Sequence, residues 1–487
     1  MNHRSVSSRL TLFALLALML TATIAAAAEK RVYTDEELAT MPAPGPNPWL
    51  SYLPVGAEVD WDYWHAKRDY ENRQRAEAQE PPASLINVVE VEPNNTLLDA
   101  QAIPGFGTGA GDDAEADVTG TIDAGGDVDC FSVDLEVGDI LGVNLEGSPN
   151  RVEIFSPAGD LQMGSSQDAS FIYPPENPLP RGGVLAEHIT YEDGGHFVCA
   201  SNGTGAYTLE LRAFRSVFED GGQQILFVDF DGATIDPSIF GGPAGDRTLS
   251  PLSSFLAGWG LGPADEDAVI DAIMASVFEN METDLEMASN ANFGVEILNS
   301  RDHADPFGQP NVSRLIVGGS IAEFGIGTIG IAQSIDPGNF GVEESAVILL
   351  DLLSAPAADP NSLNQFGLGG GATIIDLVGV GVGNITAHEA GHYLGNFHTE
   401  QFAAASDPSI MDQGGNLPGT VGVGDDLTFG TADDFDTDFS PDLFNFGEGF
   451  TGTEFTDERT AHALTAGSLF TDGFESGNTT SWSVVVP

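Results

Sequence analysis

The residues from His388 to His398 read H-E-x-x-H-x-x-G-x-x-H, and no other stretch of the 487-residue chain restricts its own backbone so tightly. In a helix, positions four apart lie one turn above each other, so His388 and His392 can aim their imidazoles at one point. Gly395 then lets the chain leave the helix abruptly, because glycine takes positive φ at little cost. His398 comes back as a third corner. Three imidazoles at the corners of a tetrahedron, with the fourth corner open, are the donor set of a zinc ion that keeps one position for water.

Glu389 follows His388 by one position, which turns its carboxylate off the ligand row yet keeps it near the open corner. Zinc lowers the pKa of a bound water toward neutrality and polarises a peptide carbonyl, while a carboxylate so placed takes the water's proton and later delivers it to the leaving amine. The expected chemistry is direct attack of water on a peptide bond without a covalent intermediate. Its ligands are His388, His392 and His398, and Glu389 is the general acid/base. Composition alone would produce the whole string in roughly one chain in 10^5. The competing reading is a closed structural zinc site, in which Glu389 would have no task.

Met411 lies thirteen residues beyond His398, in Ser409-Ile410-Met411-Asp412, between Asp407-Pro408 and Gly414-Gly415, a tight-turn composition. The long histidine motif followed by a methionine turn resembles the metzincin class of metallopeptidases. The resemblance spans residues 222–465 and is specific at 384–415. It implies an α/β (α+β) catalytic domain with a mixed sheet and an active-site helix, Met411 beneath the metal, a zinc cofactor, and protein or peptide substrates. Astacin-like and serralysin-like members carry a tyrosine shortly after the methionine, whereas this chain has Asp412, Gln413 and Gly414, so no tyrosine ligand or oxyanion donor is implied. Tyr393 projects from another helix face and reads as packing.

The pattern upstream suits such a half. Ile225–Phe230 reads as a first strand and Asp265–Met281 as a helix, with apolar residues at Val269, Ile270, Ile273, Val277 and Met281. Further strands are expected at Phe293–Leu298, Arg314–Val317 and Ala346–Leu350. The glycine-rich segment Gly325–Ala332 is either a cleft-lining edge strand, as the resemblance implies, or a loop, since glycines weaken strands.

Residues 1–28 combine Arg4 and Arg9, an apolar stretch from Leu10 to Ile24, and Ala25–Ala28, the make-up of a secretory signal. The stretch is short for a bilayer span and nothing else approaches one, so a secreted chain with no membrane span in its mature form is expected. Only Cys130 and Cys199 occur, both upstream of the histidine half. They form either a disulfide, contributing about 4 kcal/mol on a chain-entropy argument, or two buried thiols.

Around them, residues 88–214 show short alternating segments punctuated by Gly, Asn and Asp, the texture of a β-sandwich. With Glu92-Pro93-Asn94-Asn95-Thr96 at its start and Asp129-Cys130-Phe131-Ser132-Val133-Asp134 following, this region resembles the bacterial pre-peptidase C-terminal domain, here preceding the catalytic half. The fold expected is therefore multidomain: a jelly-roll-like β-sandwich accessory domain at 88–214, the metallopeptidase domain at 220–465, and a C-terminal tail at 466–487. Residues 29–85 hold three of the five tryptophans and six of the fourteen basic residues beyond the signal. They form either a propeptide that shields an acidic cleft or a folded extension. The tail is either a sorting tag or an exposed terminus.

The net charge of −58, from 74 acidic against 16 basic residues, repels phosphates and disfavours nucleic acid as a partner. Asp425, Asp426, Asp433, Asp434, Asp436 and Asp438 crowd one stretch and Asp112, Asp113, Glu115 and Asp117 another. Neither spacing is an EF-hand. Each offers calcium its preferred oxygen ligands or forms a solvated acidic surface. Two functional classes follow: a secreted zinc endopeptidase, or a non-catalytic secreted binding or surface protein with a zinc-stabilised scaffold.

Overall fold

The computed structural model describes residues 33–41, 66, 70, 85–106, 114–123, 126–214, 223–288, 293–309, 311–401 and 408–465. Residues 1–28, expected to be a signal, the 466–487 tail, most of 29–85, and Asp112 and Asp113 lie outside the described residues. Regular structure is mostly strand, gathered in several sheets with few helices.

The N-terminal half contains β1 (Ile86–Val89), β2 (Gln101–Ala102), β3 (Ala114–Ile122), β4 (Asp129–Leu135), β5 (Ile140–Gly147), β6 (Arg151–Phe155), β7 (Leu161–Ser165), β8 (Val184–Ile189), β9 (Gly194–Ser201) and β10 (Gly205–Phe214). One sheet runs β1-β3-β10-β5-β8 and the other includes β2-β4-β9-β6-β7. Both are antiparallel except for the parallel pairs β1/β3 and β2/β4. Alternation drives the burial: Tyr207, Leu209, Leu211 and Ala213 of β10 turn inward while the residues between them face out. They join Val118, Phe131, Val152 and Val198 in one apolar core fed by both sheets. Cys130 and Cys199 stand opposite each other on β4 and β9 and form a disulfide.

In the C-terminal half, β11 (Gln224–Asp229), α1 (Glu266–Phe278), β12 (Val295–Asn299), β13 (Val312–Val317), β14 (Gly330–Ala332) and β15 (Ser345–Ile348) build a mixed sheet in the order β12-β11-β13-β15-β14. The first four strands are parallel and β14 is antiparallel to β15. All six residues of β13 are buried, as a parallel strand covered on both faces requires. The expected strands fall where periodicity placed them, apart from the start of β12, where Phe293 instead bridges to Thr465. Only the last three residues of the 325–332 segment are strand. The long helix α2 (Ile374–Tyr393) packs on α1, and its Thr373/Asp376 capping box satisfies the first-turn donors.

The two halves are not separate bodies in their packing. β16 (Phe450–Thr451) pairs with β7 and becomes the sixth strand of the second N-terminal sheet. Phe324, Val347, Phe397 and Phe450 enter the same apolar core as Val118 and Leu209. Arg459 of α3 (Thr456–Ala463) meets Glu187 of β8 at 2.6 Å, both buried. No helix among the described residues is long and apolar enough to cross a membrane.

Candidate metal centre

Helix α2 ends one residue after His392, and Gly395 follows at φ +104°, so the chain turns back where the glycine was expected to release it. Only glycine fits there: an added methyl would lie 2.8 Å from Pro337 Cα. The turn brings His398 to the pair on α2, and the ring centroids of the three histidines lie 4.7–5.4 Å apart. One ligand atom from each falls within 4.8 Å of the others.

Tautomers follow from the partners. His388 Nδ1 donates to Ile410 O at 2.6 Å and His392 Nδ1 to Asn396 O at 2.9 Å, since a carbonyl can only accept. His398 Nδ1 donates to Glu448 Oε1 at 2.6 Å. With Nδ1 spent in each ring, Nε2 is the nitrogen left for a ligand, and His398 Nε2 is buried without any hydrogen-bond partner. Burial and the neighbouring His398 push His388 down to about 3, and burial holds His392 well below the usual imidazole range, which keeps both rings neutral. Imidazoles with backed Nδ1 atoms and, in His398, an enclosed and unpartnered Nε2 fit a divalent metal held by His388, His392 and His398. They do not distinguish zinc from other borderline metals.

Glu389 is buried on the helix face next to the cleft, and burial raises its carboxyl well above the ordinary value. The backbone of β14 rests directly on it, for a methyl on Gly330 would stand 2.0 Å from Glu389 Oε1. Met411 is fully buried with Sδ against α2, 2.5 Å from where a methyl on Gly391 would lie. His388 and His398 open on a cleft of ≈ 240 Å³ lined also by Thr328, Gly330, Leu352, Ile385, Glu389 and Asp412, among others. Asp412 accepts from Thr399 Oγ1 at 2.9 Å, and burial raises it to about 6 against the pull of that bond. Tyr393 is fully buried away from the cleft.

The six aspartates read as one calcium group do not gather. Asp433 and Asp434 accept backbone N–H bonds from Asp426 and Gly430 of the loop that carries them. Asp436 and Asp438 instead converge with Glu279 at the end of α1. Of the second cluster, Glu115 pairs with Arg212 at 3.3 Å. Glu90, Glu92 and Asp129 form a third group that spacing gave no reason to expect.

Glu448 is the site residue missed by sequence reasoning. It lies fifty positions beyond His398 in Phe446-Gly447-Glu448-Gly449, with no spacing that ties it to the histidines. The role of Gly330 was equally hidden among neighbouring glycines.

No protein-family model matches the chain, and no curated protein does. Among solved structures it is similar to two periplasmic inhibitors of g-type lysozyme. The Aeromonas hydrophila inhibitor is 12% identical at a TM-score of 0.16, covering 26% of this chain and 98% of that one. The Salmonella Typhimurium inhibitor is 11% identical at a TM-score of 0.15, covering 26% and 97%. Likeness at this level carries no functional argument.

Proposed function

We propose that the chain is a secreted, zinc-dependent endopeptidase of metzincin type. One observation carries the reading: three imidazoles, each with Nδ1 spent on an acceptor, converge beside a buried carboxylate that lines a cleft. Zinc held by His388, His392 and His398 would supply Lewis acidity to a water and to a substrate carbonyl. Glu389 takes the proton of the attacking water and returns it to the leaving amine. β14 is the outer strand of its sheet, so its free edge can pair with an extended peptide laid along the cleft. Met411 under Gly391 supports the metzincin resemblance. The disulfide and the 1–28 segment support export. The N-terminal sheets serve as a sandwich-type accessory module.

Purified protein should cleave an unstructured casein-like substrate, and a chelator should stop it. Glu389→Ala should abolish turnover while zinc stays bound, because the three ligands are untouched. Undiminished proteolysis by that variant would refute the assigned chemistry. Zinc uptake by the wild type with no turnover on any peptide would favour the non-catalytic scaffold.

A further inference from the structure

The geometry points to a metal centre that the N-terminal β-half completes, by seating the carboxylate that orients the third histidine. This rests on reading His388, His392 and His398 as ligands. A carboxylate behind a ligating imidazole fixes its tautomer and ring angle and raises its donor strength. Glu448 holds that position toward His398, at 2.6 Å from Nδ1.

What holds Glu448 comes from the other half. It sits at the end of a single 3-10 turn, Phe446–Glu448, followed by Gly449 at φ +85°. Gln167, just past β7, donates its side-chain amide to the main-chain carbonyl of Glu448. Gln167 is itself tied down, since its N–H donates to Ser165 Oγ and its carbonyl accepts from Leu185 N–H. Two residues beyond Glu448 the chain enters β16, where Phe450 and Thr451 register against Ser165 and Gly164 of β7. Arg151 of β6 donates to Thr451 Oγ1 at 2.7 Å.

The opposite flank of the same segment grips the histidine. Asn445 N–H donates to His398 O at 2.9 Å, and the Phe450 ring lies 4.6 Å from that of Phe397. Residues 445–451 are therefore clamped between β7 on one side and His398 on the other. A shift of β7 relative to α2 moves the partner of His398 Nδ1. Glu448 is a positioning residue, and Gln167 acts through it.

The test is zinc affinity of the metal-free full chain, measured in competition with a chromophoric chelator, with the cobalt(II) d–d spectrum as a second readout. Glu448→Ala should weaken zinc by about 10–100-fold, and Glu448→Gln, which keeps an acceptor, by less. Gln167→Ala removes no group bonded to the three histidines. It should still weaken zinc by about three- to tenfold and displace the cobalt bands in the same direction as Glu448→Ala. The double variant should be no weaker than Glu448→Ala alone, because both act through one contact. Unchanged zinc affinity and spectrum in Gln167→Ala, or fully additive losses in the double variant, overturns the coupling. Zinc uptake by His392→Ala equal to wild type removes the premise instead, and that result separates failure of the metal-site reading from failure of this inference. Should Glu448→Ala not fold, Glu448→Gln and Gln167→Ala carry the test together.

Discussion

At Gly330 the absence of a side chain is what lets β14 lie on Glu389, since a Cβ there would overlap Oε1 at 2.0 Å. On the proposed chemistry, Gly330→Ala should lower kcat/KM at least about tenfold, because a proton-transfer group displaced by a fraction of an ångström loses much of its contribution. Zinc affinity should stay as in wild type. A variant with full kcat/KM would show that Glu389 has room to move and still act. Asp129 offers a residue-level test of a different kind. No hydrogen bond of ordinary geometry reaches either of its carboxylate oxygens. Burial, eased by the Tyr207 phenol and reinforced by Glu90, Asp127 and Glu92, raises it to about 7. A carboxyl whose folded pKa lies above its unfolded value binds more protons folded than unfolded. Its charge thus costs stability progressively as pH rises from about 4 to about 7. Urea midpoints in chelator-containing buffer should fall across that window from this group, and Asp129→Asn should flatten the slope. An identical pH profile in the variant would contradict the assignment.

Helix α2 shows where element-level reasoning succeeds and where it does not. Its last two turns were legible because i, i+4 histidines and a releasing glycine have one economical geometry. Its first three turns were not, since Val378-Gly379-Val380-Gly381-Val382-Gly383 alternates with a period of two and each glycine costs about 1 kcal/mol in a helix interior. Tertiary packing overrides that propensity. A methyl on Gly379 would lie 2.6 Å from Ala272 Cβ, and one on Gly383 2.5 Å from Ser276, so these glycines are what let α1 approach α2. Between the helices, Ser276 Oγ and Asn280 Nδ2 donate to Asn384 Oδ1, and Asn384 Nδ2 donates to Thr420 O. Gly383→Ala should raise the local helix propensity yet destabilise the protein by about 1–3 kcal/mol through overpacking. Denaturant titration measures the balance, and a stabilised variant would mean the helices separate freely. The acidic stretch divides for a related reason. Clustering in sequence marks carboxylates but not which of them converge: Asp433 and Asp434 accept from backbone donors of their own loop, whereas Asp436 and Asp438 meet Glu279. Glu448 was illegible because the segment that carries it to His398 is placed by pairing with β7, nearly three hundred positions earlier.

Over the whole molecule, the boundary that composition draws near residue 215 is a change of texture and not a line of weak contact. β16 crosses it to finish a sheet, and Phe397 and Phe450 share a core with Leu209. Arg459 crosses it as well, bonding Glu187 of β8 at 2.6 Å and the carbonyl of Gly395, the residue that turns the chain toward His398. Burial still holds Glu187 above the usual carboxylate range although Arg459 draws it down, so the pair is desolvated and removing one member strands the other. Arg459→Leu should cost about 3–5 kcal/mol, far more than an exposed pair would. A shared core, a shared sheet and a buried cross-boundary ion pair together leave no plane along which one half can unfold and the other keep its interior dry. Scanning calorimetry of the disulfide-intact chain should therefore give one peak, with calorimetric and van't Hoff enthalpies in agreement. Saturation with zinc at about a hundred times its Kd should raise stability by about 2.7 kcal/mol and move that single peak upward. Two resolved peaks, with only the hotter or the cooler one responding to zinc, would show that the halves fold independently and that the contacts across residue 215 are too weak to couple them.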